Sequence, residues 1–352
     1  MNFIKVKSPF KLGTTKYKHI TQSTQLALLV VLIASFFIYN KAGFDGVGVL
    51  ISAIVAIVTS LLIELVFAIT SKNFTSFKNL YCTENLLMIP LITVLLLPLH
   101  TPIFVTIVAT TIGVWIGKLV YGGYGYSIFN PAIVGVLFAY LSFKSQLATP
   151  EGLVYPIQAL KTATAELNIV GFNAMDFLGT SGGYGMAVGT ASMGLLLILI
   201  VLLSLVRAID WRISLTFLAT VFGISAVMGG LVFAQEQVLT GLVIFGALFL
   251  VTENVTSPTS RDTKIVFAVI VGLLTVMIRT IGSNVEGVLF AVLIGNLITP
   301  FLNRTVKQSN IVSLAKALVF AAVVIVAAGF ALNAIVAGSI VIKLTSNMAV
   351  VM

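Results

Sequence analysis

The sequence predicts an all-α polytopic membrane protein with about ten or eleven transmembrane helices, some of them broken. Three observations carry that prediction. Of 352 residues, 59% are hydrophobic and only 9% are charged, whereas a soluble globular chain carries roughly a quarter charged residues. The mean hydropathy is +1.13. The apolar residues also fall into runs long enough, or nearly long enough, to cross a bilayer. Too few charges remain to cover a water-facing surface.

The elements follow in chain order. The opening stretch MNFIKVKSPFKLGTTKYKHITQS holds five lysines, and no small-residue cleavage site follows the next apolar run. It is predicted to be a retained cytoplasmic tail, residues 1–23, not a removed signal peptide. Eleven apolar runs come next, at about 24–40, 46–70, 84–98, 102–120, 129–143, 185–206, 213–234, 237–252, 263–281, 286–302 and 312–338. Three of them (84–98, 129–143 and 237–252) are shorter than the ~20 residues of a full span. Pro90 and Pro98 interrupt the first of these, and Phe-Asn-Pro-Ala opens the second. The expected organisation is a first helical half at 24–143, an outer-face loop at 144–184, a second helical half at 185–305, and an extra C-terminal helix and tail at 306–352.

Charge placement orients this arrangement. With the N-terminus inside and the spans alternating, fifteen of the 20 basic residues fall on the inner side. The other five, Lys41, Lys144, Lys161, Arg279 and Lys343, fall outside. That bias is the positive-inside pattern. It explains the net charge of +9 as topology, so no nucleic-acid partner is required. The single cysteine, Cys82, excludes an internal disulfide. It also excludes an iron–sulfur cluster held by this chain alone, which needs about four ligands. His19 and His100 show no metal-ligand spacing, and each reads as an interfacial residue.

Two short spans stop at polar, proline-containing backbone: LLLPLHTP after the third and LFLVTENVTSP after the eighth. They lie an odd number of spans apart, so a repeat containing them would be inverted in the membrane. Broken helices in matching repeat positions often meet near the midplane and form a site. A plainer reading is that the prolines end two helices.

The stretch Gly117 to Gly135, GKLVYGGYGYSIFNPAIVG, holds the densest chemistry. Gly122, Gly123 and Gly125 permit tight turns. Asn130 can cap a helix that Pro131 opens. The N–H groups at that helix start favour an anionic or carbonyl-bearing partner. Gly113 and Gly117 form a small-xxx-small pair, which reads as helix packing. Four acids lie in or beside the spans: Glu64, Glu84, Glu253 and Glu286. An acid in a membrane span is a functional candidate by default. Glu64 lies deepest, as a cation carrier or gate, or as a side chain snorkelling to the headgroups. Glu84, Glu253 and Glu286 are expected near interfaces, within reach of water. Glu64 and Glu253 are the ion-pathway candidates.

At this point the chain resembles a known family: the D subunit of the Rnf electron-transport complex and its relative, the B subunit of the sodium-pumping NADH:quinone reductase. Five segments carry the resemblance in order. They are SPFKLGTTKYKHI near the start, the Gly117–Gly135 stretch, DFLGTSGGYGMAVGTAS from Asp176, FLVTENVTSPTS from Phe249, and IRTIGSNVEGVLFAVLIGN from Ile278. The resemblance implies a urea-transporter-like fold of two inverted five-helix halves.

It also implies a flavin. Members of this family resemble one another in carrying FMN joined by its phosphate to a threonine, shortly before the segment that here starts at Asp176. QALKTAT occupies that slot, so Thr164 matches the flavin-bearing threonine and Ala163 the alanine before it. Gln158 stands where the family has aspartate, and Lys161 where it has serine or threonine. From the residues alone, a solvated outer loop would hold these threonines with no further role. Thr162 is the next attachment candidate, and Lys161 could pair with an added phosphate. Gly122, Gly123, Asn130 and Pro131 are the other cofactor-binding candidates, and a second, non-covalent flavin (riboflavin) belongs to the same expectation.

The implied function is that of a membrane subunit of an Rnf-type, ion-translocating electron-transport complex in the bacterial inner membrane. It would carry FMN and pass electrons with partner subunits, coupled to Na⁺ or H⁺ movement. A flavin transferase and membrane lipid are the other expected partners. Such a subunit is not catalytic alone, and it shows no nucleotide-binding domain. Two other classes fit the same spans: a transporter or channel of this fold, and a membrane scaffold without flavin.

Overall fold

The computed structural model describes residues 14–41, 43–70, 86–123, 125–147, 187–281 and 287–305, with single helical positions between 323 and 334. Thr164, Ala163, Lys161, Thr162, Glu84 and Glu286 lie outside the described residues. Among the described residues there is no strand.

The first run of helices is α1 (Thr14–Lys41), α2 (Gly46–Thr70), α3 (Met88–Leu96), α4 (Ile103–Val114) and α5 (Pro131–Ser142). The second is α6 (Met193–Leu205), α7 (Trp211–Leu239), α8 (Val243–Phe245), α9 (Arg261–Thr280) and α10 (Gly287–Thr305). Five described helices are long and apolar enough to cross a membrane, or six if one bent pair counts as a span. The chain is therefore an all-α polytopic membrane protein. The run read at 46–70 coincides with α2. The run read at 213–234 forms most of α7, which is broken at Gly230, where φ is 83°.

Both short spans are short, buried helices. Every residue of α3 is buried. So is every residue from Gly241 to Glu253, a stretch that holds α8 and the π-helical turn Gly246–Leu250. A helix apolar on all sides has no polar face to keep in water, so it can be buried whole. α2 differs. Its buried face is the stripe Gly46, Val49, Ala53, Ala56, Ser60, Glu64 and Ala68. Ile54, Leu62, Val66 and Ile69 are exposed, as a lipid-facing side would be.

Contacts divide the described residues into two compact units: 14–147, 187–211 and 248–257 in one, 212–247 and 258 onward in the other. In the first unit, α4 and α5 meet backbone to backbone. A Cβ on Gly135 would lie 2.0 Å from the Ala109 carbonyl oxygen, and one on Gly117 would lie 2.7 Å from Pro131 Cα. The small residues at 113 and 117 thus serve packing. The pentapeptide Gly-Val-Leu-Phe-Ala occurs at 135–139 in α5 and again at 287–291 in α10. In both copies Gly, Val, Leu and Ala are buried, while the Phe is exposed at 138 and half-buried at 290.

Candidate functional site

Three buried polar places stand out in the first unit. The deepest is an ion pair. Lys118 Nζ lies 2.7 Å from Glu64 Oε1, and the side chains are 0% and 3% exposed. Lys118 sits in Trp115–Leu119, a π-helical turn that continues α4. Such turns insert one extra residue per turn and recur at functional sites. Two findings differ from the sequence reading. Lys118 counts there as an inner-loop charge, yet it is wholly buried in the fold. Glu64 does not snorkel to headgroups, because a cation 54 residues away in sequence meets it inside. The glycine contacts of α4 with α5 fix the backbone that carries Lys118.

The second place is Glu253, in the non-helical stretch after the Gly246–Leu250 turn. It is 5% exposed, so it does not reach water as expected. Thr256 Oγ1 donates to its Oε2 at 3.1 Å. A chamber of about 20 Å³ adjoins it, lined by Ile20, Thr21, Thr24, Thr252, Glu253 and Asn254 among others. That volume suits one water or one small ion. Thr24 turns its hydroxyl to the carbonyls of Ile20 and Thr21, at 3.1 and 2.9 Å, which leaves its oxygen lone pairs as acceptors. A carboxylate, hydroxyl oxygens and an amide form a set of hard oxygen donors, the kind that alkali and alkaline-earth cations take.

The third place is the loop into α5. Gly122, Gly123 and Gly125 all have φ near 100° (102°, 104° and 99°), a region that side chains rarely adopt. Asn130 Oδ1 accepts from Ala132 N at 3.1 Å and Ile133 N at 3.3 Å, with Pro131 in the first turn. This is the cap that the sequence suggests. Asn130 Nδ2 and Ser127 Oγ are buried with no hydrogen-bond partner among the described residues. A buried donor without a partner costs free energy until something accepts from it. A carbonyl oxygen on a neutral ring would be such an acceptor.

The second unit holds a buried cation of its own. Arg279, read as an outer-loop charge, is 1% exposed. Its guanidinium donates to the carbonyls of Gln237 (2.6 Å) and Thr240 (3.2 Å), and to Thr240 Oγ1 (3.2 Å). Lys118 and Arg279 both lie inside apolar runs, at 102–120 and 263–281. That position was the signal of their burial, and counting them as loop charges hides it. His100 lies with its ring centroid 6.5 Å from that of Phe44. Among the described residues no three His, Cys, Asp or Glu side chains gather as a metal site.

Known proteins resemble this chain over most of its length. A family profile described as the NQR2, RnfD, RnfE family matches residues 4–312. A Citrobacter koseri protein, named as the D subunit of an ion-translocating oxidoreductase complex, is 28% identical over 340 residues, covering 84% of this chain and 96% of its own. Proteins of the same name from Haemophilus influenzae and Shewanella sediminis are similar as well. The former is 26% identical over 352 residues, covering 84% of this chain and 96% of its own. The latter is 27% identical over 344 residues, covering 85% and 97%.

Proposed function

The chain belongs to the NQR2, RnfD, RnfE family, and from that premise we propose that it is the D-type membrane component of an ion-translocating oxidoreductase complex. It works with other membrane subunits in the inner membrane, with its N-terminus cytoplasmic and residues 144–184 on the outer face. The observation that carries this reading is the pair of buried acids in a lipid-embedded bundle. Glu64 is held by Lys118, and Glu253 faces a chamber the size of one ion. An acid inside a membrane span is a functional-site candidate by default. On this reading Glu253, Thr21, Thr24 and Thr252 receive a small cation, Na⁺ or H⁺. Glu64 and Lys118 form a charge-neutral station that a passing cation can perturb.

Two flavins belong to the proposal. FMN is carried as a phosphoester on Thr164, placed there by a flavin transferase, with Ala163 leaving the hydroxyl accessible and Lys161 pairing with the phosphate. A non-covalent riboflavin lies at the Gly122–Pro131 loop. The residues there fit a neutral, carbonyl-bearing ring, because Asn130 Nδ2 and Ser127 Oγ are buried donors still lacking an acceptor. Gly122 and Gly123, without side chains, leave the backbone open to close approach, and Pro131 sets the helix start. When bound, the flavins supply one-electron transfer, and the chain positions them and sets their potential.

The test is intact mass spectrometry of the chain expressed with its native flavin transferase. The expected result is an added FMN mass that disappears in Thr164→Ala. An unmodified wild-type chain under those conditions would overturn covalent attachment. That outcome would favour the second reading, a flavin-less scaffold subunit, which rests on Gln158 and Lys161 standing where the family motif differs.

A further inference from the structure

The second unit contains a polar line separate from the buried acids and from Arg279. Asn296, Thr299 and Asn303 occupy positions i, i+3 and i+7 of α10, so they share one face. The line spans about 10 Å at 1.5 Å per residue. Its outer end is in the open: Asn303 is exposed, and its Oδ1 accepts from Thr259 N at 3.3 Å. Thr299 is buried, with its hydroxyl turned to the Gly295 carbonyl at 3.0 Å. Asn296 is 1% exposed. Neither its Nδ2 nor its Oδ1 has a hydrogen-bond partner among the described residues.

The chemistry at Asn296 is unusual for a membrane helix. Its amide offers two donors and an acceptor that nothing among the described residues meets. Pro300, four residues on, has no N–H, so the helix supplies no i+4 donor to the Asn296 main-chain carbonyl. In hydrocarbon, unmet polar groups are strongly disfavoured, and backbone breaks persist only where they line a wet cavity or are buried in protein. The surroundings of the adjoining residue, Gly295, are apolar: a Cβ there would lie 2.5 Å from Val271 Cγ2 and 3.0 Å from Phe267 Cε2.

We propose that the Asn303–Thr299–Asn296 face of α10 is a hydrated access path for a small monovalent cation, ending at Asn296. There, neutral oxygens, the side-chain amide and the main-chain carbonyl, replace part of the hydration shell. The inference rests on the ion-translocating reading above. It adds a route on α10 distinct from the two acids. The path opens at the end of α10 that carries Arg304, which is the cytoplasmic end in the proposed topology. Being neutral, the path binds the ion weakly enough to release it.

The test uses Ag⁺, a thiol-reactive monovalent cation of about alkali-ion size, on the full chain in membrane vesicles. Cys82 is the only cysteine, so Cys82→Ser gives a silent background. Single cysteines are then placed by Asn296→Cys, Thr299→Cys, Asn303→Cys and Leu297→Cys. Leu297 is the control, a 62%-exposed side chain one position along on the lipid side. Modification is read as loss of later maleimide labelling of the denatured chain. Asn296→Cys and Thr299→Cys are expected to react at rates approaching Asn303→Cys. Leu297→Cys should be slower by about a hundredfold, as the cost of a cation in hydrocarbon implies. Excess Na⁺ should slow the reaction at 299, where Asn296 is intact, more than at 303 if Na⁺ is the native cation. Equal, slow reaction at 296, 299 and 297 would overturn the path. Because the readout needs no electron transfer, reactive positions in a chain that fails to move ions would fault the functional reading and leave the path standing.

Discussion

In the first run of helices, Lys118 near the end of α4 reaches Glu64 on α2. In the second, Arg279 near the end of α9 reaches the carbonyls that close α7. Each cation is on or just past the helix that follows a short buried one, and each ties that helix to the one before the short one. The partners differ, and the difference separates two roles. Arginine keeps its proton in proteins, and backbone carbonyls do not titrate. The Arg279 contacts to Gln237 and Thr240, at the bend between α7 and α8, therefore do not depend on the protonation of their acceptors. Glutamate and lysine can both change charge, so the electrostatics of the Glu64–Lys118 contact can respond to an arriving ion or electron.

This contrast can be broken by substitution. The largest effect is expected for Glu64→Ala, which deprives a fully buried lysine of its carboxylate and should cost about 3–5 kcal/mol. Unfolding of the purified chain in mixed micelles would measure it. Arg279→Met removes the donors to two carbonyls and should cost about 2–4 kcal/mol in the same assay. If Arg279→Met proved the more damaging, the buried carboxylate would not be the costlier group to disturb, and the contrast would fail.

The matched glycines of the repeated pentapeptide sharpen the comparison at smaller magnitude. Gly135→Ala forces a Cβ against backbone, the Ala109 carbonyl oxygen at 2.0 Å, and should cost about 1–3 kcal/mol. Gly287→Ala meets first the Arg279 side chain at 2.8 Å. That contact is longer than the 2.0 Å at Gly135 and is with a side-chain methylene instead of a backbone oxygen, so the melting temperature should fall less than for Gly135→Ala. Smallest of all is the double replacement Glu64→Leu with Lys118→Met. A buried pair exchanged for apolar groups of similar size should leave stability within about 1 kcal/mol of the parent, or raise it. The same chain, assembled in its complex and reconstituted, should lose ion uptake. Retained uptake would show that the pair is only structural.

Much of this was legible in the sequence, and the reasons are local. α2 follows from an uninterrupted apolar run, and the Asn130 cap from an Asn-Pro pair opening another. The two short buried helices follow from spans cut off by proline and polar residues. What pairs with what was not legible. Glu64 and Lys118 are separated by 54 positions, and Gln237 and Arg279 by 42. No spacing rule reaches that far. A charge counted as topology looks the same in sequence whether it ends in water or against a buried carboxylate. Asn296 was hidden for another reason: a neutral amide in an apolar run raises no alarm until both its ends are found without partners. Thr164 rests on family position, and its surroundings lie outside the described residues.

The order of synthesis along the chain gives the two buried cations a further meaning. A helix is handed to the membrane soon after it is made, and one that carries a lysine or arginine is inserted reluctantly alone. Here Glu64 is translated well before Lys118, and the α7 carbonyls well before Arg279. In both runs of helices, then, the acceptor is made before the charge arrives, so each late helix is helped into place by an early one. Deleting α2 or the end of α7 would show first as a helix left outside, before any loss of folded stability could be measured.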